Sequence, residues 1–395
     1  MMKATTRDII LLLLNTALFF TANQMMVAVL PLYIVFSGGS EQIVGLLVGL
    51  FSVSAVVFRG YFAKLSDSYG RKWLLNVAIF TSVTGPLLYL VNLGFWYLCL
   101  VRIYHGASLA AFMIASQTLL ADLSTEENRG RLFGLYGIAT GLAMAAAPSF
   151  GQYVAVNFGY TIFFSVTALC ALLMVPGQIL VKERQRGPKV EELTTVALKD
   201  IICNRWVLIP SLSLLCITMV LGATSSFLPL HSTQVGIAEM GLYFAVFSLT
   251  YMAGGYLAGA ISDKFGRKVV VLPSFLLVVL GLLALTKLTG LALLVLGGFL
   301  IGLGFGAANT ALLVLVMDKT TLAERSQSVS FFNNSFDLGV SSGAILLGGV
   351  AARSFSLVWG ILAAIAFFGF MLILFALPKD NWARRSYLAN SSDGL

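Results

Sequence analysis

Residues 59–72 read RGYFAKLSDSYGRK, and residues 255–268 read GYLAGAISDKFGRK, almost the same phrase half a chain later. Each phrase places several charges in a 395-residue chain that is 58% hydrophobic and only 11% charged. The mean hydropathy of +0.92 lies far above the range of soluble domains. The two stretches are therefore unusually charged for this apolar chain, and their role has to be inferred from the apolar segments on either side of them.

Apolar runs long enough to cross a bilayer follow one another along the whole chain. They lack the alternation of barrel strands, so the sequence predicts an all-α membrane protein. The first run is followed by many others, so we expect no cleaved signal. Twelve transmembrane helices are predicted, at 8–33, 42–63, 73–91, 96–119, 131–155, 160–181, 206–229, 240–261, 268–287, 291–316, 328–351 and 355–377.

The positive charges predict how these helices are oriented. With a cytoplasmic N-terminus, 21 of the 25 lysines and arginines fall in inside segments, and only Lys287 and Arg353 fall in outside links. This asymmetry follows the positive-inside rule, so both termini are predicted to be cytoplasmic. The net charge of +8 thus reflects topology, and we expect no nucleic-acid partner.

The two quoted phrases belong to a duplication with a constant offset of 196 residues. Gly106 and Gly302 match at this offset, as do the later loop residues of each half. Parallel six-helix repeats place a substrate site between them near the bilayer midplane. We predict two six-helix bundles (1–181 and 205–378), a cytoplasmic linker (182–204) and a cytoplasmic tail (379–395).

Several motifs in the chain resemble those of the major facilitator superfamily. GAISDKFGRK at 259–268 matches the superfamily's loop signature Gly-x-x-x-Asp-x-x-Gly-Arg-[Arg/Lys] in full, and AKLSDSYGRK at 63–72 departs only at its first residue. RIYHGASLAA at 102–111 resembles the fourth-helix signature Arg-x-x-Gln-Gly-x-Gly-x-Ala, with His105 in place of glutamine and Ser108 in place of glycine. The stretch at 122–134 resembles the loop that follows. The resemblance covers essentially the whole chain.

The resemblance implies a cytoplasmic gate built from the loop phrases. Asp67 would approach the positive N-terminus of helix eleven, and Arg71 would pair with Asp122. These contacts would hold the cytoplasmic side shut in the outward-facing state. The plainer alternative is that the charges only anchor topology. The predicted gate residues are Asp67, Gly70, Arg71 and Asp122 in the first copy, and Asp263, Gly266, Arg267 and Asp318 in the second.

The predicted spans of helices two and eleven each contain an ionisable residue, Arg59 and Asp337. Burying a charge in a bilayer is unfavourable, so such residues usually have a functional role. In the superfamily's fold these helices pack together, so we expect Arg59 and Asp337 to pair in one state and separate in another. Asp337 is the leading candidate for proton coupling, since losing the arginine partner favours proton uptake. The alternatives are that Arg59 extends to the cytoplasmic interface and that Asp337 forms a static pair.

Helix four carries Arg102 and, one turn deeper on the same face, His105. The resemblance implies that this arginine influences proton transfer in the N-terminal half. Histidine titrates near neutrality, so His105 is a candidate member of the proton relay. The alternative is that His105 is a polar packing residue.

Helix five resembles the antiporter signature Gly-x8-Gly-x3-Gly-Pro-x2-Gly-Gly. Gly134, Pro148 and Gly151 match it, Ala143 and Ala147 are small replacements for two of its glycines, and Gln152 departs from its last glycine. This partial match favours export. Cavity walls in this fold come mainly from helices one, four, seven and ten, and here polar groups are scattered among apolar and aromatic ones. The predicted substrate-cavity residues are Asn23, Gln24, Phe112, Gln117, Ser225, Asn309 and, from helix eleven, Asn334.

These features predict a proton-coupled secondary transporter that exports a small amphipathic drug or metabolite. The alternatives are an importer of a small organic anion, a lipid flippase, and a transport-inactive sensor. No phosphate-binding loop is present, and the four cysteines suggest no metal site. We therefore expect no enzyme activity and no cofactor or metal, with the proton gradient as the energy source. We expect a monomer in an inner membrane, whose partners are protons, a small-molecule substrate and the lipid bilayer.

Overall fold

The computed structural model describes residues 2–91, 93–125, 128–181, 201, 203–237 and 239–376 of the chain. The predicted all-α fold is confirmed. Each of the twelve predicted spans overlaps a helix, and several helices extend beyond the predicted limits. The helices are α1 (Met2–Phe36), α2 (Glu41–Tyr69), α3 (Arg71–Leu88), α4 (Phe95–Leu123), α5 (Arg129–Leu172), α6 (Met174–Leu180), α7 (Arg205–Gln234), α8 (Met240–Phe265), α9 (Arg267–Thr286), α10 (Leu291–Asp318), α11 (Leu322–Ala351) and α12 (Phe355–Met371), followed by a π-helical turn, Leu372–Ala376.

Helix α5 contains the break that separates the fifth and sixth predicted spans. Its 44 residues would reach about 66 Å if straight, twice the ~30 Å thickness of a hydrocarbon core. At Gly159 the backbone leaves the helical region, with φ 83° and ψ 169°. A positive φ of this kind is readily adopted only by glycine. The chain therefore crosses the membrane once on each side of Gly159.

Within the described part of the chain, nine helices are long and apolar enough to span a membrane. The continuous stretch Arg131–Leu180 counts once among them although Gly159 divides it. Helices α3 and α11 are not among the nine. Helix α3 begins with two cations, and α11 carries the polar stripe that includes Asp337, which lowers their hydropathy. The protein is a multi-pass membrane protein.

The described residues pack into two compact units. The first comprises the described residues of 1–189, 222–245 and 344–353. In it α1 packs along α5, α2 against α4, and α3 against both α4 and α5. We call the end of this unit that holds the turns after Phe36 and Gln234 and the break at Gly159 the outer end, after the predicted orientation. The second unit comprises the described residues of 190–221, 246–343 and 354–395, in which α9 packs against α10 and α12.

The offset of 196 residues recurs as a repeated packing geometry inside each unit. Gly106 of α4 lies so close to α2 that a Cβ there would clash with the carbonyl oxygen of Phe51. At the equivalent place, a Cβ on Gly302 of α10 would clash with the carbonyl oxygen of Phe247 in α8. Small residues allow this approach of membrane helices. The predicted boundaries of the bundles, the linker and the tail remain predictions, and most of 182–204 and all of 379–395 lie outside the described residues.

Candidate functional site

The first loop phrase forms a tight turn with an ion pair beside it. Gly70 separates α2 from α3 with φ 102° and ψ 157°, a backbone conformation that favours glycine. Next to it, Arg71 Nε lies 3.1 Å from Asp122 Oδ2 at the end of α4. Arg71 Nη1 donates to the carbonyl oxygen of Ser66 at 3.2 Å. The structure thus brings Arg71 and Asp122 together, whereas the side chain of Asp67 lies outside the described residues.

The second loop phrase repeats this arrangement with more contacts. Gly266 has φ 95° and ψ 155°, close to the values of Gly70. Arg267 Nε lies 3.0 Å from Asp318 Oδ2, and its Nη1 lies 2.5 Å from Asp263 Oδ1. The same Nη1 donates to Ser262 Oγ at 2.7 Å. The Arg267 side chain is only 8% exposed, against 15% for Arg71, so the second ion pair is better shielded from water.

We expect Arg267→Ala to destabilise the protein more than Arg71→Ala. Arg267→Ala removes hydrogen bonds from a buried guanidinium to two carboxylates and a serine hydroxyl, and should lower the free energy of unfolding by about 2 kcal/mol. Arg71→Ala removes an ion pair to a half-exposed carboxylate and a hydrogen bond to the Ser66 carbonyl oxygen, and should lower the free energy of unfolding by about 1 kcal/mol. Arg267→Lys should recover little, because an ammonium group cannot reproduce the planar guanidinium contacts. Unfolding midpoints of the purified variants in detergent measure the difference, and equal losses for the two alanine variants would contradict it.

Helix α4 holds Arg102 inside the first unit. The residue is 5% exposed, and its Nε donates to the carbonyl oxygen of Leu47 in α2 at 2.8 Å. Its guanidinium carbon lies 4.5 Å from the centroid of the Phe51 ring, and Nη1 lies 3.5 Å from the Tyr89 hydroxyl. A cation over an aromatic face is stabilised by the ring quadrupole. Among the residues that the structure describes, no carboxylate pairs with Arg102.

His105 lies next to this arginine in the same cluster. It is 4% exposed, and its ring meets the Phe51 ring edge-on at a centroid distance of 5.6 Å. Its Nδ1 atom is buried and has no hydrogen-bond partner in the described structure. Gly85 of α3 lies beside its ring, where a Cβ would be 3.5 Å from Cδ2. The predicted pair of Arg102 and His105 thus occupies one buried cluster, joined by two aromatic residues that the sequence did not single out.

The predicted cavity residues are only partly accessible. Asn23, Gln24, Gln117 and Ser225 are half-buried, and Asn334 is exposed. Phe112 has no exposed surface and stacks on Phe19, with ring centroids 3.8 Å apart, so in this state it packs inside the first unit and lines no open cavity. Asn309 Nδ2 lies 3.2 Å from the Tyr251 hydroxyl. Tyr251 was missed because no sequence pattern links residues that are 58 positions apart on different helices.

A separate apolar groove of about 360 Å³ lies between α2, α3 and α4. Its lining includes Phe58, Phe62, Thr81 and Tyr104, and none of the predicted cavity residues belongs to it. These helices also expose large apolar side chains such as Phe80 and Leu100. The groove therefore lies on an apolar surface of these helices, apart from the predicted cavity residues.

Asp337 lies at the middle of α11, and Arg59 lies in the second half of α2. Both side chains are half-buried. Helix α11 begins at Leu322, six residues before the predicted start at 328, so the helix includes a polar first turn ahead of the predicted span. Because the two residues belong to different units, their predicted pairing remains a prediction. Ser341 Oγ donates to the Asp337 carbonyl oxygen at 2.8 Å, which continues the polar stripe along α11.

Comparison with solved structures identifies the fold. A crystal structure of a mutant of the nucleoside transporter NupG superposes with a TM-score of 0.78 at 14% sequence identity, covering 93% of this chain and 99% of that chain. At this identity the likeness concerns the fold alone.

Comparison of sequences gives distant relatives. The chain is 21% identical over 352 residues to the staphylopine export protein of Staphylococcus aureus strain Mu50, covering 85% of this chain and 87% of that protein. The quinolone resistance protein NorA of the same strain is 23% identical over 181 residues, 46% of this chain and 47% of NorA. The matched region spans only 35% of the length of an uncharacterized transporter of Buchnera aphidicola subsp. Schizaphis graminum (27% identical) and 29% of that of the inner membrane transport protein YajR of Escherichia coli K12 (28% identical).

The sequence also matches one protein family twice, over residues 12–238 and 211–389. Together these matches include nearly all of the helices and both loop phrases. The chain belongs to the Major Facilitator Superfamily.

Proposed function

We propose that this secondary transporter exports a small amphipathic molecule in exchange for protons. The observation that carries the proposal is the pair of ionisable groups placed within membrane helices, Arg102 without a carboxylate partner in the described residues and Asp337 at the middle of α11. Charged groups at such depths are unfavourable and mark ion or substrate pathways. Among the relatives, one is named an exporter and another a quinolone resistance protein, which supports export.

Alternating access supplies the mechanism. The two repeats would rock about a central site, with the Arg71–Asp122 and Arg267–Asp318 pairs fastening the loops on the predicted cytoplasmic side. Protonation of Asp337 would weaken its predicted attraction to Arg59, so that proton uptake and release would accompany the change of state. The positive-inside charge pattern supports an inner membrane location with both termini cytoplasmic.

Import of a small organic anion is the second candidate. Arg102 favours it, since a buried guanidinium without a carboxylate partner in the described region attracts an anionic group. In the exchange mechanism substrate moves opposite to protons, whereas in a symport mechanism substrate moves with them. The direction of movement relative to a pH gradient therefore separates the two candidates.

The test is transport of a fluorescent zwitterionic quinolone into proteoliposomes with an imposed pH gradient. Exchange predicts accumulation on the acidic side, abolished by a protonophore. Protein-free liposomes with the same gradient control for passive trapping of the probe. Accumulation on the alkaline side would favour the importer. No gradient-dependent movement of the quinolone or of a panel of amphipathic probes would overturn proton-coupled export.

A further inference from the structure

At the outer end of the first unit, helices from both halves of the sequence meet through close backbone contacts. A Cβ on Gly45 of α2 would clash with the carbonyl oxygen of Ala344 in α11. A Cβ on Gly241 of α8 would lie 2.5 Å from the Cα of Ser149 in α5. Gly45 and Gly241 are equivalent in the repeat, separated by the same 196 residues. The outer end is therefore closed by two equivalent helix crossings, α2 with α11 and α5 with α8.

Among the differences between the two crossings is the side chain at position 152 of α5 and at its repeat equivalent on α11, position 348. On α11 this position is Gly348, where a Cβ would lie 3.0 Å from the Cα of Gln42. On α5 it is Gln152, which replaces the last glycine of the antiporter signature. The Gln152 side chain extends across the crossing, and its Oε1 accepts a hydrogen bond from the Gly241 backbone N–H at 2.7 Å. A glycine at 152 would have no side chain to make this bond.

The donor in this hydrogen bond is one that α8 itself leaves without a partner. Gly241 is the second residue of α8, which begins at Met240. The first N–H groups of a helix have no acceptor in the preceding turn, and they carry the positive end of the helix dipole. If the crossing opened, the Gly241 N–H and the Gln152 amide would have to find other partners. The bond therefore stabilises only the state in which α5 and α8 are in contact.

We propose that Gln152 is a positioning residue that holds the outer end of this transporter closed. The inference rests on the alternating-access mechanism proposed above, and extends it with a chain-specific contact at the outer end. One hydrogen bond of this kind shifts a two-state equilibrium by about five- to tenfold. The outwardly closed state is therefore more populated with glutamine at position 152 than it would be with glycine.

The test measures the opening of the outer end directly. Nitroxide labels are attached after Asn157→Cys in α5 and Gln234→Cys in α7, both exposed sites, with the four native cysteines replaced. Distance distributions between the labels are recorded in proteoliposomes by double electron–electron resonance. Gln152→Met keeps the side-chain volume but removes the acceptor, and is expected to raise the ratio of open to closed populations about five- to tenfold. Gln152→Gly should give the same direction of shift.

Gln152→Glu is the matched control, because it keeps an acceptor oxygen at the same reach. Its distribution should stay within about twofold of the wild type, since a carboxylate also accepts from a helix N-terminal N–H. The proposal is overturned if Gln152→Met leaves the distribution unchanged, or if the Met and Glu variants shift equally. The readout does not depend on transport, so a protein that moves no quinolone yet responds as predicted would refute the proposed function and leave the role of Gln152 standing.

Discussion

Arg102→Met is expected to leave the protein folded while reducing gradient-driven transport by at least about tenfold. Arg102 is 5% exposed, and in the described structure it contacts a carbonyl oxygen, a tyrosine hydroxyl and an aromatic ring. A charge at this depth is unfavourable by about 2.5–3.5 kcal/mol on insertion scales. Replacing a buried charge with an apolar side chain of similar volume is often neutral or stabilising. The unfolding midpoint should therefore stay the same or rise.

Transport should fall because the variant lacks the positive charge that acts on a moving proton or on an anionic group of the substrate. Arg102→Lys is the matched control, since it keeps the charge but cannot place a planar guanidinium over Phe51. It should transport at a rate between those of the wild type and the methionine variant. Proteoliposome flux and unfolding in detergent are measured on the same preparations. A methionine variant that loses stability, and transport only in proportion, would show that Arg102 serves packing alone.

Much of the fold could be predicted from the sequence because the bilayer imposes a simple rule. Any helix that crosses it needs about twenty apolar residues, so hydropathy locates the spans. Hydropathy does not locate the helix ends, since backbone hydrogen bonding continues into polar residues beyond the hydrocarbon. Helix α2 thus runs to Tyr69, although its predicted span ends at 63. The turn glycines at 70 and 266 were predictable from the duplicated phrases alone.

Contacts between helices were predictable only where a family motif already links the partners. The Arg71–Asp122 proximity followed from the resemblance. By contrast, no sequence motif links Arg102 with Tyr89. Tyr89 lies just beyond the end of α3, and the packing of α3 against α4 is what brings its hydroxyl to Arg102. Gln152 could be identified as a departure from the antiporter signature, but its bond to Gly241 joins residues 89 positions apart. Apolar periodicity indicates which face of a helix is buried, and it does not indicate which neighbour covers that face.

Asp337→Asn is expected to uncouple substrate movement from the proton gradient. Asparagine has nearly the same shape as a protonated aspartate but cannot release a proton. Asp337 lies at the middle of α11, where exchange between charged and neutral forms changes the free energy of burial most strongly. Accumulation of the quinolone probe against its gradient should therefore fall at least about tenfold. The reason is that the free energy contributed by one buried charge interaction is larger than the free energy difference that corresponds to a tenfold change. Exchange of labelled for unlabelled quinolone without a gradient should persist.

Replacing a carboxylate by its amide at the start of α11 provides the control. Glu324 Oε2 accepts from the Thr321 backbone N–H at 3.2 Å, outside the predicted span, so Glu324→Gln should keep its dependence on the pH gradient. Both variants are measured in accumulation and exchange modes at matched protein density. Loss of both modes in Asp337→Asn would indicate a role in substrate binding or folding, and an unfolding midpoint separates these two. Undiminished gradient dependence in Asp337→Asn would remove Asp337 from the coupling mechanism and leave the Arg102–His105 cluster as the next candidate, because both of its residues are buried within α4.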